Sequence, residues 1–89
     1  MTKGSPPLTP KAALGWLRSL SVDIRAAAVL DASGAVLAGD PALAGAAPTR
    51  GVLVARSDGH AVAVRHGRRA LPGLLQADMR AALDALESA

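Results

Sequence analysis

The chain has 89 residues, a formal net charge of +3, a sequence pI near 10.7, 51% hydrophobic residues, one tryptophan as its only aromatic side chain and no cysteine. A chain this short fits one domain that buries about 60% of its unfolded surface, and the lack of cysteine excludes a disulfide framework, a thiolate zinc site and a cysteine nucleophile. No run approaches the ~20 apolar residues of a membrane span and the start MTKGSPPLTP lacks a secretory apolar segment, so the sequence reads as a soluble cytoplasmic protein with a thin, alanine-rich core that association would help to stabilise.

Residues 1–9 include Gly4, Ser5, Pro6 and Pro7 and little apolar surface, which predicts a flexible tail ahead of a single domain over residues 10–89. Thr9-Pro10 is a helix start, because threonine caps free amides and proline suits the first helical position. Ala13, Trp16, Leu17 and Leu20 then form an apolar stripe, with Trp16 as its expected core anchor. The stretch Asp23 to Gly39 reads as a hairpin, with strands over Ala26 to Leu30 and Ala35 to Ala38 around an Asp31-Ala32-Ser33-Gly34 turn. Alanines 26 to 28 favour helix individually, so strand pairing must override their propensity. Asp40-Pro41 repeats the cap-then-proline signal, but Gly45 and Pro48 limit Pro41 to Ala46 to one or two helical turns or a loop.

The strongest local signal is Gly51 to Gly67, where two valine- and alanine-rich runs flank Asp58-Gly59. With that pair as the turn, Arg56 faces Ala61, Ala55 faces Val62, Val54 faces Ala63 and Leu53 faces Val64. One face then holds Leu53, Ala55, Val62 and Val64, and the other holds Val52, Val54, Ala61 and Ala63, bordered by Arg56 and Arg65. Both faces are apolar, so both require a cover. After Leu71-Pro72-Gly73, a break, the side chains of Leu75, Met79, Ala82, Leu83 and Leu86 recur at helical spacing, with Leu71 and Leu74 extending that surface toward the sheet. The result is an α+β fold: an antiparallel sheet of about four strands in two hairpins, with the terminal helices packed on one face.

The run Ala28-Val29-Leu30-Asp31-Ala32-Ser33-Gly34-Ala35-Val36-Leu37-Ala38, the helix before it and the leucine-rich helix at residues 71–86 resemble the roadblock/dynein light chain family, a layout shared with profilin-like folds. The resemblance implies a homodimer that acts as a scaffold or as a regulator of small Ras-like GTPases. Two departures accompany it: the family's long middle helix shrinks to at most Pro41 to Ala46, and its five strands shrink to four. Without that helix, the face of Val52, Val54, Ala61 and Ala63 is expected to be exposed in a monomer and to meet a dimer mate or partner.

The residues themselves point away from catalysis. His60 and His66 are the only histidines and lie near opposite ends of the hairpin, too few for a metal site, and His60 beside the turn is expected in solvent. Ser57-Asp58-Gly59-His60 holds the residue types of a hydrolytic triad, but neighbours on a tight turn point in different directions. The carboxylates fall at turns, caps and wet helix faces without forming an acid/base pair, and no phosphate-binding glycine loop or cofactor motif is present. Arg50, Arg56, Arg65, Arg68 and Arg69 make residues 50–69 basic. These arginines shield sheet edges, and Arg56, Arg65, Arg68 and Arg69 are candidate contacts for an acidic partner. The alternative is a polyanion- or nucleic-acid-binding module, which the absence of aromatics in this region disfavours.

Overall fold

The computed structural model describes residues 9–87, so the expected flexible tail lies, through residue 8, outside the described residues. Its elements in chain order are α1 (Pro10–Leu20), β1 (Ile24–Asp31), β2 (Val36–Gly39), a 3₁₀ turn (Pro41–Leu43), β3 (Val52–Arg56), β4 (His60–His66) and α2 (Pro72–Glu87). The strands form one antiparallel sheet in the order β2-β1-β4-β3, with both helices packed on one face. This is the α+β fold read from the sequence.

Local chemistry places the element ends. Thr9 Oγ1 accepts from the amide of Ala12 at 3.1 Å, and Pro10 follows as the first helical residue. Asp31 closes the first hairpin by accepting at one oxygen from the Ser33 hydroxyl (2.6 Å), the Ser33 amide (2.9 Å) and the Ala35 amide (3.0 Å). The Ser33 hydroxyl and then the Ala35 amide hold its carboxyl below the ordinary carboxylate range. Asp40 caps the 3₁₀ turn through the Ala42 amide at 2.9 Å.

The β3–β4 register matches the one expected from Asp58-Gly59: Arg56 pairs with Ala61, Ala55 with Val62, Val54 with Ala63 and Leu53 with Val64. β1 runs from residue 24 to 31, longer than its sequence core, because β4 pairs along almost all of it while β2 pairs on the other side. Pairing on both sides overrides the helical preference of Ala26, Ala27 and Ala28. β2 is displaced by one residue from the expectation, with a register shift where Leu30 meets Val36. α2 begins at Pro72, so Pro72 and Gly73 form its first turn rather than a break before it.

Two separate cores result. On the helix side, Leu14, Leu17, Met79 and Leu83 pack over Val29, Val62 and Val64. On the other side, Ala26, Ala28, Leu30, Ala61 and Ala63 lie beneath Leu43, with Val36, Ala46 and Val54 at the margin. Topology explains the second cover. β2 and β3 are opposite edges of the sheet, so residues 40–51 must cross a face about three strand spacings wide, roughly 14 Å. They cross the face that lacks helices. This strap is tied to the first hairpin turn where the Gly45 amide donates to the Gly34 carbonyl at 2.8 Å. Gly34 has φ +92°, and a Cβ there would sit 3.2 Å from the Gly45 Cα, so glycine serves both the turn and the close approach.

Two expectations are corrected here. Ala61 and Ala63 are 2% and 0% exposed within the single chain, so the face expected to be open in a monomer is closed at its centre, with Val52 and Val54 only half-buried. Alanine makes this possible, because a floor of single methyl groups leaves a shallow layer that backbone and one leucine fill. Trp16 is 38% exposed and is not the anchor of α1. The buried stripe is Ala13, Leu14 and Leu17, and Trp16 stands about 200° around the helix from Leu14.

Candidate functional site

The structure separates the predicted site residues. Arg56 and Arg65 extend from the strap side of the hairpin, four rungs apart, about 13 Å along the strands. Arg56 Nη2 donates to the Ala46 carbonyl at 3.1 Å, holding the strap down. Arg68 and Arg69 lie instead in the exposed turn between β4 and α2. The predicted basic set is thus two groups: Arg56 at the hairpin tip, and Arg65, Arg68 and Arg69 toward the other end.

The edge of β3 is guarded by side chains other than the expected arginines. Gly51 pairs with His66, and Ser57 with His60, through backbone bonds of 2.9 Å, so alternation turns the amides and carbonyls of Val52, Val54 and Arg56 outward. Thr49 takes both groups of Val52, Gln76 Nε2 donates to the Val54 carbonyl at 3.2 Å, and Arg80 Nη1 donates to the Arg56 carbonyl at 2.9 Å. α2 therefore blunts the edge against strand addition.

His60 is part-buried rather than free in solvent, because Glu87 at the end of α2 reaches it. One Glu87 oxygen accepts from Ser57 Oγ at 2.6 Å and lies 2.9 Å from His60 Nδ1. Serine, histidine and a carboxylate thus meet, but the serine proton points to the carboxylate and not to the imidazole. The imidazole is therefore not placed as the base of a serine–histidine–carboxylate triad. The cluster is a clip that fastens the last turn of α2 to the hairpin tip, and the Ser57 and His60 hydrogen bonds lower the Glu87 pKa.

Asp23 performs the matching task at the opposite end. It adopts φ +59°, a left-handed conformation that aspartate tolerates better than most side chains. One of its oxygens accepts from the Arg69 amide at 2.8 Å, and the other accepts from Arg25 Nε at 2.8 Å. The Arg69 amide is the largest influence and holds its carboxyl below the ordinary range; burial opposes it, and the Arg25 hydrogen bond adds a smaller lowering. The turn before α2 is thereby fixed against the α1–β1 linker.

Between those two segments lies an apolar groove of about 240 Å³, walled by Leu20, Val22, Leu71, Leu74 and Leu75, with Ser21 and Asp78 at its side. Ser21 Oγ donates to Asp78 at 2.9 Å and closes the polar wall. Leu20, Val22, Leu71 and Leu74 are 52%, 63%, 61% and 64% exposed. Leu71 and Leu74 therefore do not extend the helix packing surface as expected. Leu71 precedes the first helical residue, and Leu74 sits about 100° off the stripe begun by Leu75. Helical spacing alone could have found Leu74; Leu20 and Val22 gain their place only from the meeting of α1 and α2.

The molecule is thus a small α+β domain with an apolar groove between helix ends, and among the described residues no helix is long and apolar enough to cross a membrane. No family model matches the chain, and no curated protein or solved structure matches it.

Proposed function

We propose that this chain is a non-enzymatic protein-interaction module that pairs with a second copy of itself and works as a scaffold or regulator in small-GTPase-type signalling. The observation that carries the interaction reading is the cluster of four exposed aliphatic side chains around the groove, a surface that a partner would remove from water. The homodimer and the GTPase class rest on the resemblance of the first hairpin and the terminal helices to the roadblock/dynein light chain family.

The second copy meets the strap side of the β3–β4 hairpin at Val52 and Val54, the half-buried positions left beside buried Ala61 and Ala63. Val52 belongs to neither core, so Val52→Asp tests this contact with less risk to the fold than Val54→Asp. Light scattering at high micromolar concentration is expected to give a dimer mass for the parent and a monomer mass for Val52→Asp. A monomeric parent would end the homodimer assignment. Interferometry against a purified Ras-like GTPase, in its GDP and GTP-analogue forms, is expected to show binding that depends on the nucleotide. Absence of binding to both forms would remove the GTPase assignment.

A further inference from the structure

We infer that the groove between the end of α1 and the start of α2 docks an acidic amphipathic helix from a partner protein. The inference rests on the interaction-module reading and assigns that module's surface and partner chemistry. At about 240 Å³ the groove falls below the ~300–1,000 Å³ of small-molecule sites. It suits apolar side chains delivered by a larger body, and the exposed Leu20, Val22, Leu71 and Leu74 form the ridges beside it.

Charge selects among occupants. Arg18 lies in the last turn of α1, and Arg68 and Arg69 come three and two residues before the groove wall at Leu71; all three are exposed. The ion pairs among the described residues are Arg25 with Asp23 and His60 with Glu87, which leave these three arginines unpaired. Of the carboxylates nearby, Asp23 is ion-paired with Arg25, and Asp78 keeps its charge at the side of the groove, where it accepts from the neutral Ser21 hydroxyl. Counting Arg18, Arg25, Arg68 and Arg69 against Asp23 and Asp78, the formal charge of the segments around the groove is +2. A second copy placed here by a two-fold axis would bring the same arginines toward one another. A flat anionic membrane would meet the arginines but leave the concavity unfilled. A helix with leucine-sized side chains on one face and carboxylates beside them satisfies both features.

The test uses the full chain and a fluorescein-labelled synthetic helix carrying leucine at i, i+3, i+4 and i+7 and glutamate elsewhere. A control peptide has lysine for each glutamate, and vesicles of phosphatidylcholine and phosphatidylserine supply the membrane arm. The acidic peptide is expected to give saturable anisotropy that weakens with salt, with the basic peptide binding at least about tenfold more weakly. Leu74→Ser is expected to weaken binding by about tenfold or more, Leu74→Met to restore most of it, and Arg68→Gln with Arg69→Gln to weaken it and flatten the salt dependence. Circular dichroism checks that each variant is folded.

No binding of the acidic peptide, equal binding of both peptides, or unchanged binding by Leu74→Ser would overturn the inference. So would vesicle binding without peptide binding, or light scattering in which Leu74→Ser turns a dimer into a monomer. If the chain still pairs through Val52 and binds its GTPase while the acidic peptide fails, the groove assignment falls and the module reading stands. If those two also fail, the module reading falls with it.

Discussion

On its helix side the sheet presents Val29, Val62 and Val64 to Leu14, Leu17, Met79 and Leu83, whereas on its strap side it presents mainly alanines to Leu43 and passing backbone. The thick cover needs long side chains from two helices, and the thin one needs little beyond a chain segment held close. The size of the side chains on a strand therefore sets how much material must lie over it. Beneath the strap the buried alanines at 28, 61 and 63 sit beside the larger Leu30, while the helix side has more apolar area to lose.

Truncation on the thick side breaks the comparison most severely. Leu83→Ala removes a fully buried side chain between α2 and the sheet and is expected to lower stability by about 2–5 kcal/mol in urea melts. On the thin side, enlargement is the sensitive change. Ala63→Leu forces a branched side chain beneath the strap and is expected to destabilise by about 1–3 kcal/mol. Combining it with Leu43→Ala is expected to recover part of that loss relative to additivity, which a double-mutant cycle measures. Additive losses would mean that Leu43 and Ala63 do not share one layer.

The edge beside both layers gives a smaller effect. Gln76→Ala with Arg80→Ala uncovers the Val54 and Arg56 carbonyls and is expected to lower stability by about 1 kcal/mol per lost bond or less. Its clearer readout is concentration-dependent growth in mass, as the freed edge pairs with another chain. The smallest effect concerns the clip at the hairpin tip. The Glu87 pKa is lowered from 4.5 in the folded chain, so its contribution is present above that value and fades as pH falls through the lowered folded pKa. Glu87→Gln is expected to be less stable than the parent at neutral pH and to converge with it at acid pH in thermal melts. A gap that persists in acid would assign the difference to packing.

Much of this was legible locally. Asp58-Gly59 marks a turn by its backbone preference, and one residue of error there would have exchanged the two faces, yet the observed register agrees. Met79 and Leu83 stand out by helical spacing and are buried. Trp16 misled because size and hydrophobicity favour burial without saying which side of a short helix meets the sheet. Ala61 and Ala63 are closed over without a long helix, because the crossing between the two sheet edges is itself a sufficient cover. The Glu87 clip joins residues 27 and 30 positions apart, a separation that no local pattern reports.

By itself the sequence determined the elements, the hairpin register and the two apolar faces, because turn geometry, capping and alternation act over a few neighbouring residues. The order β2-β1-β4-β3 and the strap it requires were decided only when β1 and β4 paired across a long stretch of chain. The groove belongs to the same level. The sequence assigns Leu20, Leu71 and Leu74 to helix packing surfaces and gives Val22 no role; they become groove walls only when Asp23 fastens the turn before α2 against the α1–β1 linker. A local pattern records which side chains are apolar, and only packing decides which of them are left without a neighbour.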